Sequence, residues 1–164
     1  MSIKLNKYQI ERFSRQIVLK DVGVSGQKKI FQAKVLIVGM GGLGCPAAEF
    51  LTRAGIGFLG IVDPDEVDLS NIHRQSLFNI EDLKKSKVLA AKKKLKKINP
   101  KTDINCYNVK LNKKNCLKKL DFFPFLTIFA DVIAFLDVLF ACFALYFEKL
   151  KTINVSSSLN FKGS

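Results

Sequence analysis

Gly39-Met40-Gly41-Gly42-Leu43-Gly44 follows the apolar run Val35-Leu36-Ile37-Val38, and a carboxylate, Asp63, closes Phe58-Leu59-Gly60-Ile61-Val62 nineteen residues past the last of these glycines. Residue types in that order suit a nucleotide. Glycines permit a tight turn whose backbone approaches phosphate oxygens. The helix that follows points unpaired N–H groups and a positive dipole end at them, and an acidic side chain about 20 positions on is what a ribose hydroxyl requires. A glycine-rich turn that merely lets a helix pack on a sheet leaves the carboxylate at that distance unexplained.

Such a site needs alternating strands and helices to hold it. Residues 8–19 predict an opening amphipathic helix with Tyr8, Phe13, Ile17 and Val18 as apolar contacts, interrupted by Val22-Gly23-Val24-Ser25-Gly26. A short helix over 27–32 leads into the first strand. Pro46 sits in the first turn of the next helix, where its missing N–H costs nothing, and that helix stops at Gly55. After the second strand comes an irregular stretch over 64–75, a helix from about 81 to 98, and a break at Asn99-Pro100. A strand fits 103–109, a short helix 113–120, a buried strand 126–132, another helix 135–149 and a final strand 153–155. Residues 156–164 read as an open loop. The expected fold class is α/β, a Rossmann-like parallel sheet with flanking helices. It forms a single domain over 1–164, with a helical N-terminal arm (1–33) and a nucleotide-binding core (34–164).

At 164 residues one domain is the natural unit, able to bury about 70% of its extended-chain surface. A formal net charge of +13 favours anionic partners without choosing among them. Much of the excess lies in Lys84, Lys85, Lys87, Lys92, Lys93, Lys94, Lys96 and Lys97, around Val88, Ala91, Leu95 and Ile98 at helical spacing. A solvated helix face is the plain reading. Nucleic acid is not expected as a partner, because no aromatic residues interleave with these lysines to stack on bases. Cys45, Cys106, Cys116 and Cys142 form no C-x-x-C pair and have only His73 to join them, so no zinc site is legible. Residues 1–6 carry no cleavable signal pattern, and a cytoplasmic location with free thiols is expected. Cys45 beside the turn reads as a small buried packing residue.

Several segments together resemble the sulfur-carrier adenylyltransferases of the ThiF/MoeB/HesA family, relatives of the ubiquitin-activating enzymes. They are Arg12-Phe13-Ser14-Arg15-Gln16-Ile17, the turn from Gly39 through Cys45, and Asp63-Pro64-Asp65-x-Val67-x-Leu69-Ser70-Asn71-Ile72-x-Arg74-Gln75, followed by Ser86-Lys87-Val88 and Ile98-Asn99-Pro100. The match runs in unbroken register over about residues 6 to 110. A nicotinamide-dependent oxidoreductase would share the glycines but not the Arg15-Gln16 and Asn71 to Gln75 elements.

The resemblance implies ATP-dependent activation of a ubiquitin-like sulfur-carrier protein of the molybdopterin (molybdenum cofactor) or thiamine biosynthesis type. The carrier's C-terminal glycine carboxylate attacks the α-phosphate, giving an acyl-adenylate and pyrophosphate. Such a reaction demands in-line placement and neutralisation of phosphate charge by cations and magnesium. By position, Gly39, Gly41, Gly42 and Gly44 would line the nucleotide and Asp63 would hold the ribose. Asn71, Arg74, Gln75 and Lys87 would contact the phosphates. Arg15 matches the family arginine that crosses a two-fold interface, which implies a homodimer or pairing with a full-length homologue, and places Arg15, Arg74 and Lys87 in the catalytic set. Taken singly, Arg15 and Arg74 could be surface salt bridges, Lys87 a solvated lysine and Asn71 a helix cap. Asp65 is a candidate for magnesium, although loop carboxylates are commonly turn formers. His73 receives no role.

The chain departs from the family after the strand 126–132, where a D-x-x-T/S-D-N motif carries the magnesium aspartate. Asp131 is followed here by Val132, Ile133, Ala134 and Phe135, and Leu139 stands where an arginine is usual. Uncharged side chains cannot hold magnesium against its hydration, and Asp137, three residues beyond the expected place, is a weak substitute. The family's later strands, zinc cysteines and sulfur-handling cysteine have no counterpart in the 164 residues, so the expected domain is truncated on its C-terminal side and zinc is not expected. Residues 122–147 are strongly apolar, but Pro124, Asp131 and Asp137 interrupt them, and a membrane span is not expected. The functional expectation is therefore an adenylyltransferase weakened or inactive at its magnesium site. The alternative is a non-catalytic remnant that binds ATP or a partner, and nicotinamide redox chemistry stands third.

Overall fold

The structure, a computed structural model, describes residues 4–112 together with the backbone of 126–129. The expected helices 113–120 and 135–149, the strand 153–155, the end of the 126–132 strand and the loop 156–164 lie outside the described residues. So do Cys116, Asp131, Ala134, Phe135, Asp137, Leu139 and Cys142.

Four strands, β1 (Lys34–Val38), β2 (Phe58–Val62), β3 (Asp103–Tyr107) and β4 (Leu126–Phe129), form one sheet in the order β3-β2-β1-β4, with every pairing parallel. Helix α4 (Gly44–Ala54) connects β1 to β2, and helix α5 (Lys87–Ile98) precedes β3. Strand residues alternate between two faces. Val35, Ile37, Leu59 and Ile61 pack with Cys45 and Ala48 of α4 and with Val88, Ala91 and Leu95 of α5, while Leu36, Val38 and Val62 join Leu111 in a second cluster. Burial on both faces explains why β1 and β2 read as continuous apolar runs rather than as alternating ones. β1 sits between β2 and β4, so the strand order reverses beside it, and the C-terminal end of β1 is where open parallel sheets leave a crevice.

Helix α4 behaves as its sequence predicts, with Pro46 in its first turn and Gly55 at its end in the left-handed region, φ 91°. There Ile56 N–H donates to Leu51 O at 3.0 Å, the return bond that satisfies the last carbonyls of a helix. A side chain at Gly55 would also strike the Phe13 ring, 2.7 Å from an added Cβ.

Four expected boundaries are corrected. Residues 8–19 are not one helix but α1 (Lys7–Arg12) and α2 (Ser14–Ile17), broken at Phe13. Phe13 turns inward to meet Phe31 edge-to-face at 5.1 Å, and Tyr8 and Val18, expected as apolar contacts, stay exposed. The supposed interruption over 22–26 is largely helix: α3 runs Gly23–Gln32 and is held by Gln27, wholly buried, whose Nε2 donates to Ala54 O at 3.0 Å. The expected helix from 81 starts only at Lys87, after a short 3-10 turn at Ile80–Asp82 and a left-handed Lys84 at φ 61°. Tertiary pairing overrides helix propensity here. Lys84 N–H donates to Val67 O and Val67 N–H to Lys85 O, both at 2.9 Å, tying this stretch to the loop after β2. β3 likewise ends at Tyr107, two residues short of the expected strand, where Tyr107 O accepts from Asp63 N–H at 3.2 Å.

Candidate functional site

The turn after β1 begins with Gly39 at φ 96°, a left-handed conformation that favours glycine, its N–H donating to Val62 O at 2.7 Å. This swings the next amide toward β2. Met40 N–H donates to Asp63 Oδ2 at 2.6 Å, and Asp65 N–H donates to Asp63 Oδ1 at 2.8 Å. The carboxylate at the end of β2 thus clamps the turn at the end of β1. Asp63 is buried; desolvation pushes its carboxyl up, against the pull of the Met40 and Asp65 amides and of Lys87. Each carboxylate oxygen uses one acceptor site on an amide, which leaves capacity for a ribose hydroxyl.

Gly41 is open: an added Cβ would meet no atom within 4 Å. An added Cβ at Gly42 would lie 3.7 Å from the Arg74 side chain, so Arg74 crosses the turn. The Arg74 Nη1 donates to Ser70 O at 2.8 Å and the side chain remains exposed. Gly44, buried, opens α4. Glycines, cation and helix N-terminus therefore converge on one end of the sheet.

Lys87 is the main departure from the solvated-lysine reading. Its side chain is 7% exposed, and its Nζ lies 2.9 Å from Asp65 Oδ2 and 3.9 Å from Asp63 Oδ1. Lys94, also counted with the solvated face, pairs instead with the buried Asp82, whose carboxylate also accepts from Asn79 N–H at 3.0 Å. No local signal marks that pair, since 12 residues and a helix start separate its members. The Asp65 contact is equally illegible. Only the D-x-D spacing at the end of β2 hinted that two carboxylates share the loop.

Asn71 is not itself the cap: Asp68 caps the 3-10 turn Leu69–Asn71, its Oδ1 accepting from Ser70 N–H at 3.1 Å, and Asn71 Oδ1 reaches back to accept from Asp68 N–H at 3.4 Å. Gln75 is 3% exposed, with its Oε1 buried and without a hydrogen-bond partner among the described residues. Arg15 is exposed on α2, in none of the ion pairs among the described residues. Among the described residues no group of three or more His, Cys, Asp or Glu side chains could hold a metal ion, and no helix is long and apolar enough to cross a membrane.

Cys45 is fully buried in the first turn of α4, its Sγ donating to Met40 O at 3.4 Å. Burial pushes its thiol up to about 11, from an ordinary 9.0. The thiolate population near neutral pH is then lower by about a hundredfold. Cys45 is expected to resist a thiol-specific disulfide reagent in the native state and to react once urea unfolds the chain. Rapid native labelling of Cys45, located by peptide mass, would contradict this packing.

The sequence matches the model of the ThiF family over residues 13–163. It is 50% identical over 113 residues to the adenylyltransferase and sulfurtransferase MOCS3 of Drosophila virilis, covering 69% of this chain and 25% of that protein. It is 40% identical over 118 residues to the sulfur carrier protein adenylyltransferase of Thermus thermophilus, covering 72% and 44%. The chain therefore spans less than half the length of either relative. In three dimensions it resembles the E. coli tRNA N6-threonylcarbamoyladenosine dehydratase TcdA, crystallised with ATP, at a TM-score of 0.72 and 24% identity, covering 79% of this chain and 52% of that one. That likeness bears on the fold.

Proposed function

From the premise that this chain belongs to the ThiF family, we propose that it binds ATP on the turn after β1 and serves the adenylation of the C-terminal glycine of a ubiquitin-like sulfur-carrier protein in the cytoplasm. The observation that carries this reading is the clamp of Met40 N–H on Asp63 beside the open Gly41. One arrangement supplies a ribose acceptor and an open backbone at Gly41 beside a helix N-terminus. Both relatives bear the name adenylyltransferase, which supports the reaction class.

In the proposed reaction the carrier's carboxylate oxygen bonds to the α-phosphorus of ATP, and the bond from that phosphorus to the bridging oxygen of the leaving pyrophosphate breaks. No proton need move at that step. The chain's contribution is placement and charge: Asp63 orients the ribose, the amides at Gly41, Gly42 and Gly44 face the phosphates, and Arg74 and Lys87 offset their charge. Asn71 and Gln75 border the same loop. Arg15, on the exposed α2, serves the site of a second subunit in a homodimer or in a pair with a longer homologue.

Magnesium fits the described residues poorly. They offer no group of three or more His, Cys, Asp or Glu side chains for a metal, and the exposed Asp65 already has one oxygen on Lys87. With Ala134 and Phe135 at the positions of the family's acidic motif, the reading includes a weakened or lost adenylation step. A role that binds ATP without catalysis is the second reading, carried by those same two residues.

Carrier-dependent exchange of radiolabelled pyrophosphate into ATP tests the pair. Exchange supports the enzyme, and a combined Ala134→Asp, Phe135→Asn variant is expected to raise it by about tenfold or more. Stoichiometric ATP binding without exchange in either protein supports the binding-only role. Failure to bind ATP at all overturns both.

A further inference from the structure

We infer that Asp65 is a positioning residue that holds the Lys87 ammonium off Asp63, and thereby keeps the ribose acceptor free; this rests on the nucleotide reading above. The strand-like zipper between the loop after β2 and the start of α5 carries the geometry. Lys87 N–H donates to Asp65 O at 3.0 Å while Lys87 Nζ donates to Asp65 Oδ2 at 2.9 Å, so one residue grips both ends of the lysine. The neighbouring Glu66 and Ser86 form an antiparallel bridge, which fixes the separation of the two segments.

A buried ammonium settles on the nearest carboxylate. Two are within reach. Asp63 Oδ1 is 3.9 Å from Nζ, beyond a good hydrogen bond, whereas Asp65 Oδ2 is within one. Asp65 is 62% exposed on its side chain, so it can carry its charge without help from the lysine, whereas the lysine, 7% exposed, needs the carboxylate. Remove that carboxylate and the only acidic partner left to Lys87 among the described residues is Asp63, whose two oxygens already accept from the Met40 and Asp65 amides. The ammonium would then close on Asp63 Oδ1 and occupy the lone pairs a ribose hydroxyl would use.

This role differs from magnesium binding in a way a simple ligand can read. Adenosine carries a ribose but no phosphate, and needs no metal. Its binding to the purified chain is to be measured directly, by calorimetric titration with adenosine in chelator. Asp65→Asn is expected to weaken adenosine by about tenfold, Asp65→Glu to retain most of the affinity, and the double variant Asp65→Asn, Lys87→Met to regain it, because no ammonium remains to close on Asp63.

If Asp65→Asn leaves adenosine unchanged and weakens ATP only when magnesium chloride is present, Asp65 is a metal ligand and the inference is overturned. If the double variant stays as weak as Asp65→Asn, the loop itself has been damaged, and the inference is overturned on that ground. Loss of adenosine and ATP binding by the unaltered chain would instead bring down the nucleotide reading on which both rest.

Discussion

Gly57→Ala is expected to cost at least about 4 kcal/mol of stability, a large share of the 5–15 kcal/mol typical of a domain. An added Cβ at this position would lie 1.9 Å from Phe31 O and 2.8 Å from Phe31 C. Both are backbone atoms at the end of α3, so no rotamer change relieves the clash. Separation of the two segments would stretch Gly57 N–H to Ile30 O, now 3.2 Å, and Phe58 N–H to Ala33 O, now 3.1 Å, which join α3 to the start of β2. Thermal unfolding should show a midpoint about 10 °C or more below that of the unaltered chain. Gly41→Ala is the internal comparison, since nothing lies within 4 Å of its added Cβ. It should leave the midpoint within a degree or two and yet weaken ATP, because the methyl enters the space assigned to phosphate. Equal midpoints for Gly57→Ala and the unaltered chain would mean that α3 does not pack on β2 as described.

Asp63→Ala should abolish measurable ATP binding and lower stability by about 2–4 kcal/mol, the cost of leaving buried donors without an acceptor. The Met40 amide, in a residue with no exposed surface, loses its 2.6 Å bond, and the Asp65 amide loses its 2.8 Å bond. Asp63→Asn should fall between, since an amide keeps one oxygen acceptor but presents an NH2 group to the other N–H. Chemical denaturation and calorimetric titration with ATP give the two readouts separately. Retention of near-normal ATP affinity by a folded Asp63→Ala chain would remove the ribose role, whereas loss of affinity with unchanged stability would mean that the carboxylate does not clamp the turn.

Local order decided much of what could be read in advance. The apolar runs of β1 and β2, the glycine turn, Pro46, Gly55 and the carboxylate at position 63 are near-neighbour signals: strand, turn and helix chemistry each act over a few residues. The family motifs added the register of Asn71, Arg74, Gln75 and Lys87. None of these depends on knowing what packs against what.

Sequence pattern and structure part where distant partners set the conformation. Phe13 breaks the first helix because Phe31 and Gly55 make a place for its ring, and Gly26 is helical because Gln27 is anchored to the end of α4. Residues 83–86 carry two lysines suited to a helix but are drawn into pairing with 66–67. The same cause hid the electrostatics. A lysine in a run of lysines reads as solvated until the fold brings a carboxylate to it from 12 or 22 residues away, as it does for Lys94 and Lys87.

The amino-acid order alone determined a parallel α/β sheet with a phosphate-type turn and an acidic residue at ribose distance, because backbone freedom and hydrophobic period are local properties of the chain. Tertiary structure alone decided that Asp63 clamps the turn through Met40, that Lys87 is buried, and that Asp65 faces this lysine. Charge burial and hydrogen-bond partnership are set by which segments meet across the sheet, and side chains far apart in sequence acquire their roles only there.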